Sequence, residues 1–302
     1  MVSQVKDSVL EAIGNTPVVR LSRVFRHAHV VAKLEYMNPG GSIKDRMVRH
    51  MLQRMPQGTE RVVEGSSGNT GAALAMASAV LGLDCEVTIP DTTSTEKVKR
   101  IEAYGARVHR CATSAPAEDY ASAARRIAQE QEAHYLDQYC SRLNSEAHYT
   151  DTGPELWQQL AGEIDVFVCG IGSGGTISGI GRYLKERDPH IKVIGVEPLH
   201  SAYRKQVTDR PANGNFQTVI EGLGKSRPSV SFDPAVVDDV VQVPDQQALL
   251  WLERLAQEEG ILAGGSSACV AAGIAQLLPH YPQQRIATVF PDSGMFYLSK
   301  YF

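Results

Sequence analysis

The chain is poor in cysteine and aromatic residues and has no long apolar run. Its five cysteines, Cys85, Cys111, Cys140, Cys169 and Cys269, are scattered, odd in number and form no C-x-x-C pair. That spacing argues against a disulfide framework and a zinc site, so no metal is expected. Most of them lie in apolar runs, where a thiol acts as a small core side chain. No apolar stretch approaches the roughly 20 residues a membrane-spanning helix needs. Residues 1–11 are polar and mixed in charge, unlike a signal peptide. The expected setting is reducing and cytoplasmic. Lysine and arginine form no run, and a formal net charge of −4 gives no footing on nucleic acid or a membrane surface. The sequence also shows no internal repeat and no low-complexity segment.

What is present is an ordinary globular composition, 43% hydrophobic and 21% charged. At 302 residues the chain has room for two modest domains sharing a cleft, or one large α/β unit. Short β-branched runs predict strands at 30–34, 62–64, 85–89, 107–110, 166–170, 193–197, 240–243 and 286–290. Longer periodic stretches predict helices at 42–54, 70–81, 95–104, 118–132, 153–160, 176–187, 246–259 and 267–278. This alternation argues for parallel sheets covered by helices on both faces. Such sheets take ligands beyond the carboxyl ends of their strands. The polar stretch 141–152 is the best place for a domain boundary, and 200–215 reads as a surface loop or cleft wall.

Several strand-to-helix turns carry chemistry. In Asn38-Pro39-Gly40-Gly41-Ser42-Ile43-Lys44-Asp45-Arg46, a lysine falls in the first turn of a helix directly after a glycine pair. Ser42 with Asp45 three residues on forms a capping-box-like pattern. A cation is poorly placed at the positive end of a helix dipole, and the same field favours the neutral amine that a Schiff-base nucleophile needs. A solvated surface lysine beside Asp45 and Arg46 is the alternative.

Gly172-Ser173-Gly174-Gly175-Thr176 follows an apolar strand and opens a helix, which describes a phosphate cup. It is not a Walker loop, because no G-K-[ST] follows. Gly170, Gly172 and Gly175 also fit the dinucleotide fingerprint G-x-G-x-x-G, with Glu197 placed as a ribose-binding acid, so a nicotinamide or flavin enzyme stands as a competing reading here. Ser66-Ser67-Gly68-Asn69-Thr70-Gly71 suits a carboxylate, or else is a plain cap built on Asn69 or Thr70. Gly264-Gly265-Ser266-Ser267 and Pro291-Asp292-Ser293-Gly294 are weaker turns of the same kind.

Lys44, the Ser-Gly-Asn-Thr turn and the Gly-Ser-Gly-Gly-Thr cup occur in that order at wide spacing. Together they resemble the cysteine synthase and cystathionine β-synthase family of pyridoxal-phosphate enzymes. The likeness runs nearly end to end, from Ile13-Gly14-Asn15-Thr16-Pro17 through Tyr104-Gly105-Ala106, Asp137-Gln138-Tyr139, Thr152-Gly153-Pro154-Glu155, Val196-Glu197-Pro198, Glu221-Gly222-Leu223-Gly224 and Glu259-Gly260-Ile261 to Pro291-Asp292-Ser293. The dinucleotide reading explains only the cup and Glu197.

The resemblance implies fold type II (tryptophan synthase β-like), with two doubly wound parallel or mixed-sheet domains and pyridoxal 5′-phosphate in the cleft. It implies a smaller mobile domain at 40–148, a larger one from 1–39 with 149–302, and a homodimer. By the same likeness, Lys44 is the lysine that bonds the cofactor and shuttles the Cα proton. Asn69 meets the cofactor's 3′-oxygen, Gly172, Ser173, Gly174, Gly175 and Thr176 hold its phosphate, and Ser293 faces the pyridine nitrogen. Ser66, Ser67, Asn69 and Thr70 grip the substrate carboxylate with Gln138. A hydroxyl opposite the pyridine nitrogen makes the ring a milder electron sink, which suits loss of a β-leaving group. The implied reaction is β-replacement on serine or O-acetyl- or O-phosphoserine through an α-aminoacrylate, with sulfide, a thiol or an amine as acceptor.

Within the family, the resemblance implies a minimal catalytic core, without the haem-binding extension and regulatory module of animal cystathionine β-synthases. Residues 34–42 and Gly222-Leu223-Gly224-Lys225-Ser226-Arg227-Pro228 resemble the synthases that join O-phosphoserine to glutamate on the way to 2,3-diaminopropionate. Arg227 suits a phosphorylated or dicarboxylate substrate, or else is a surface arginine on a cleft loop. The cup, in contrast, is of cysteine-synthase type, and Asp292-Ser293 resembles cystathionine β-synthase. Met295 and Phe296 stand where cysteine synthases usually carry an acid and an arginine. A β-eliminating lyase is the other enzymatic reading.

Overall fold

In a computed structural model, the described residues are 5–112, 119–208 and 214–302. Strands β1 (Val18–Arg20) and β2 (His29–Leu34) precede α1 (Lys44–Leu52). There follow β3 (Arg61–Gly65), α2 (Asn69–Leu81), β4 (Asp84–Pro90), α3 (Thr95–Glu102), β5 (Arg107–Cys111), α4 (Tyr120–Glu130) and β6 (His134–Tyr135). The chain continues through α5 (Leu143–Ala147), a π-helix (His148–Thr152), α6 (Gly153–Gln159), β7 (Val166–Gly170), α7 (Gly175–Arg187), β8 (Lys192–Pro198) and α8 (Arg204–Val207). It closes with β9 (Asp239–Val243), α9 (Asp245–Glu259), α10 (Gly265–Leu277), β10 (Arg285–Phe290) and α11 (Leu298–Tyr301).

These elements sort into two compact units, one of residues 1–14 and 38–141, the other of 15–37 and 142–302. The first holds a four-stranded parallel sheet ordered β5-β4-β3-β6. The second holds a six-stranded sheet ordered β1-β2-β10-β7-β8-β9, in which only β1 runs antiparallel to its neighbour. Both match the α/β architecture expected from the alternation of runs. β7 shows why: four of its five residues are buried, the mark of a parallel strand covered on both faces. Each fully buried valine or phenylalanine there contributes about 1.5–3 kcal/mol.

Some details differ from the expectation. The helix expected from Glu118 has that residue outside the described set. Its described part starts after Asp119, whose carboxylate accepts the Ala121 and Ser122 N–H groups at 2.9 and 2.8 Å. Residues 209–213 of the expected loop at 200–215 also lie outside the described set, and 204–207 form the short α8. The polar stretch 141–152 is mostly helical, α5 passing directly into the π-helix and then α6. The backbones pack closely there: a Cβ on Gly179 of α7 would lie 2.1 Å from the Ser145 carbonyl oxygen.

Helix α2 is buried at every position from Thr70 to Ser78, so it has no solvent-exposed face over that span. Lys33 on β2 is fully buried. Its ammonium donates to the Thr16 carbonyl at 2.9 Å and Gln159 Oε1 at 2.7 Å, and pairs with Glu155 Oε2 at 2.9 Å. None of the five cysteines forms a disulfide, and Cys85, Cys169 and Cys269 are buried. Among the described residues, no helix is long and apolar enough to cross a membrane, and no group of His, Cys, Asp or Glu could hold a metal ion.

Candidate active site

In the first unit, Lys44 is the first residue of α1 and is half-buried. The turn before it is tight: Gly41 has φ +80°, and its N–H donates to the Asn38 carbonyl at 2.8 Å. The expected capping box does not form as drawn. Ser42 Oγ accepts the Lys44 N–H at 3.2 Å, but the Asp45 carboxylate reaches back to the Gly40 N–H at 2.6 Å. The glycine turn brings Gly40 onto Asp45, and a Cβ on Gly40 would lie 2.5 Å from Asp45 Oδ1.

The 66–71 loop is open at its helix start. Gly68 occupies the N-cap position of α2 without a side-chain cap, so neither Asn69 nor Thr70 acts as a plain capper. The first-turn N–H groups therefore have no capping side chain. A Cβ on Gly71 would lie 2.4 Å from the Ser66 carbonyl, so the loop folds directly onto the first turn. Ser66 Oγ accepts the Gly68 N–H at 3.3 Å, and Ser67 is half-buried. Thr70 donates to Gln138 Oε1 at 2.8 Å, and Gln138 donates to Glu64 Oε1 at 3.3 Å. Burial, with the nearby Asp137 charge, pushes the Glu64 carboxyl up to about 8.

Arg100 of α3 was not singled out in the sequence. Its guanidinium donates to Asn69 Oδ1 at 3.1 Å and to the Gly40 carbonyl. The Asn69 oxygen is thereby engaged by Arg100, and Nδ2 is the end of the amide that can donate. The unit thus brings together Lys44's turn, Asn69 and the hydroxyl loop.

In the second unit, the cup begins α7. Gly174 is its N-cap at φ +85°. A Cβ at Gly172, Gly174 or Gly175 would fall 2.1 Å from the Gly222 carbonyl, 2.5 Å from Phe232 Cβ or 2.0 Å from Asn144 Oδ1 respectively, so all three glycines are needed for close packing. Asn144 Nδ2 donates to Ser173 Oγ at 3.0 Å, which leaves Ser173 its own proton to donate. His148 lies between two hydroxyls, Nδ1 at 3.0 Å from Thr152 Oγ1 and Nε2 at 3.2 Å from Thr176 Oγ1. Sequence reasoning missed Asn144 and His148, although their i, i+4 spacing places both on one helix face.

Glu197, the ribose-binding acid of the dinucleotide reading, has a different task. Its buried carboxylate accepts the Tyr203 and Arg204 N–H groups, each at 3.1 Å, and Gln242 Nε2 at 2.9 Å. It caps α8.

The two weaker turns meet in this unit as well. The Gly264 N–H donates to the Asp292 carbonyl at 3.0 Å, and Gly294 N–H donates to the Leu262 carbonyl at 2.9 Å. Ser293 Oγ accepts the Met295 N–H at 3.2 Å. Neighbouring Asp292 is buried and accepts the Tyr297 hydroxyl at 2.5 Å. Burial and that carboxylate hold the phenol well above its ordinary range. Arg227 is exposed on its loop.

A cup of glycines at a helix N-terminus, with two hydroxyls, fits a phosphate monoester. Residues 9–292 match the sequence profile of the pyridoxal-phosphate dependent enzyme family. The chain is 38% identical to cystathionine beta-synthase of Rattus norvegicus over 311 residues, covering 97% of this chain and 54% of that one. It is 36% identical to cysteine synthase of Aquifex aeolicus (97% and 91% covered) and 35% identical to that of Staphylococcus aureus (97% and 96%). The crystal structure of O-ureido-L-serine synthase superposes with a TM-score of 0.90 at 31% identity, covering 98% of this chain and 95% of that one. The protein belongs to the pyridoxal-phosphate dependent enzyme family, and pyridoxal phosphate is its cofactor. The chain spans between about half and two thirds of the length of the cystathionine beta-synthases it matches.

Proposed function

We propose that the protein catalyses β-replacement on serine or an O-activated L-serine, with sulfide, a thiol or an amine as the acceptor. When bound, the cofactor withdraws electrons from the substrate Cα. Lys44 supplies the amine that bonds the cofactor and moves the Cα proton. Ser66, Ser67, Asn69, Thr70 and Gln138 bind the substrate carboxylate, and Asn69 also serves the cofactor's 3′-oxygen through its donor end. Residues 172–176 hold the phosphate.

The observation that carries the reading is Ser293. Its oxygen accepts from Met295 N–H, so its own proton is what it offers a ring nitrogen. A neutral hydroxyl partner favours loss of a β-substituent over transamination. The near-full-length likeness to cysteine synthases and to O-ureido-L-serine synthase supports the same chemistry.

A second reading, O-phosphoserine joined to glutamate in a 2,3-diaminopropionate pathway, is favoured by the 222–228 sequence and the exposed Arg227. Cystathionine formation and β-elimination are the other outcomes to be tested. A cytoplasmic homodimer is inferred from the family likeness, and sedimentation velocity of the purified protein tests the dimer.

The test of function is a spectral titration. The cofactor-loaded protein is given O-acetylserine, O-phosphoserine, serine and cysteine in turn, and its visible absorbance is followed. Sulfide, homocysteine or glutamate is then added to reverse the change. Lys44→Ala is expected to lack the visible band. Pyruvate released without any acceptor would favour a lyase, and an unchanged spectrum with every serine derivative overturns the proposal.

A further inference from the structure

Three successive carbonyls at the cup are each taken by a hydroxyl. The Tyr203 phenol donates to the Gly172 carbonyl at 2.6 Å. Ser229 Oγ donates to the Ser173 carbonyl. Ser178 Oγ donates to the Gly174 carbonyl at 2.8 Å and accepts the Asp233 N–H at 2.8 Å. In a trans peptide the C=O of one residue and the N–H of the next point in opposite directions. Fixing the carbonyls of 172, 173 and 174 therefore aims the N–H groups of Ser173, Gly174 and Gly175 to the other side. Among the described residues no backbone acceptor takes those three N–H groups.

Two of the three hydroxyls, and the N–H that holds the third, come from the excursion between β8 and β9. That segment also packs against the glycines. Phe232 lies where a Cβ on Gly174 would fall, and the Gly222 carbonyl where one on Gly172 would fall. Tyr203 is fully buried, and its ring meets Phe232 edge-on at 4.8 Å. Glu197 fixes Tyr203 in turn by accepting its backbone N–H.

We propose that Tyr203 and Ser229 are positioning residues of the anion cup, turning two peptide planes so that their N–H groups converge on a phosphate monoester dianion. The proposal rests on the assignment of residues 172–176 to the cofactor phosphate. It makes the described parts of the β8–β9 excursion, 199–208 and 214–233, which include the 222–228 sequence, a mechanical part of cofactor binding. Variation in that segment is then felt at the phosphate.

Tyr203→Phe keeps the ring and removes the hydroxyl, and Ser229→Ala does the same on a smaller scale. Each is compared with wild type in three measurements: pyridoxal phosphate affinity of the cofactor-free protein, the phosphorus NMR shift of the loaded protein, and the melting temperature of the cofactor-free protein. Each variant is expected to bind the cofactor about fivefold to tenfold more weakly. The phosphorus resonance moves, the cofactor-free melting temperature stays close to wild type, and Ser229→Thr restores affinity. Thr176→Ala reads the cup itself. If it weakens binding while Tyr203→Phe and Ser229→Ala leave affinity and resonance unchanged, the positioning role is overturned and the cup assignment stands. If Thr176→Ala also leaves both unchanged, the cup assignment fails. Weaker affinity with an unmoved resonance and a lower cofactor-free melting temperature in both variants marks a merely structural role and overturns the proposal.

Discussion

Gln138 links Glu64 to Thr70, donating to the Glu64 carboxyl at 3.3 Å and accepting from the Thr70 hydroxyl at 2.8 Å. Burial and the Asp137 charge raise the Glu64 carboxyl to about 8. Above its ordinary range and up to about 8, the folded protein holds a proton that the unfolded chain has released. Stability therefore falls as pH rises through that window and levels off above it, with a slope of at most about 1.4 kcal/mol per pH unit. Urea unfolding at pH 5.5 and 8.5 is expected to show this loss in wild type and a smaller one in Glu64→Gln. Equal losses would refute the assignment.

Lys33 presents a buried charge whose partners include the Thr16 carbonyl, Gln159 and Glu155. Lys33→Met takes the Lys33 ammonium from the Glu155 carboxylate, which is 15% exposed. The expected cost is about 3 kcal/mol in urea unfolding, and Lys33→Met/Glu155→Gln recovers part of it. A single variant as stable as wild type contradicts the pairing.

Much of this was legible in the sequence, for a physical reason. Parallel strands covered on both faces read as continuous apolar runs, as at 166–170, and glycine or serine marks where the next helix starts. β1 and β6 are only three and two residues long, too short to show a period. The π-helix at 148–152 breaks the 3.6-residue pattern, so its stretch looked merely polar. The Ser42–Asp45 spacing was seen, but a spacing does not show that the glycine turn delivers Gly40 to the carboxylate. Asn144, Tyr203 and Ser229 reach the cup from 29, 31 and 56 residues away, and no local pattern marks such contacts.

Gly175 tests how closely the cup is packed. In Gly175→Ala the new methyl meets Asn144 Oδ1 at 2.0 Å, and overpacking of this kind costs about 1–3 kcal/mol. The variant is expected to purify with little cofactor and a lowered melting temperature. Full cofactor content measured by absorbance would show that Asn144 can swing aside.

Glu197 separates the two readings of the glycine-rich turn. Glu197→Ala removes the acceptor of two backbone N–H groups and of Gln242, at an expected cost of about 2 kcal/mol in chemical denaturation. Added NAD is expected to change the melting temperature of neither wild type nor variant. A rise in wild type alone would restore the dinucleotide reading.

The alanines of α2 carry a consequence for how this protein can diverge. Ala72, Ala73, Ala75 and Ala77 are each buried to within 2% exposure, in a helix closed on all sides from residue 70 to 78. Any larger side chain there displaces a neighbour, so the helix cannot re-tilt to suit a different guest. Its amide-bearing start is a fixed gauge. Selection for a new substrate can act only on what surrounds that gauge, such as Gln138 and the residues near Arg100, and changes in chemistry should gather there while the helix stays constant.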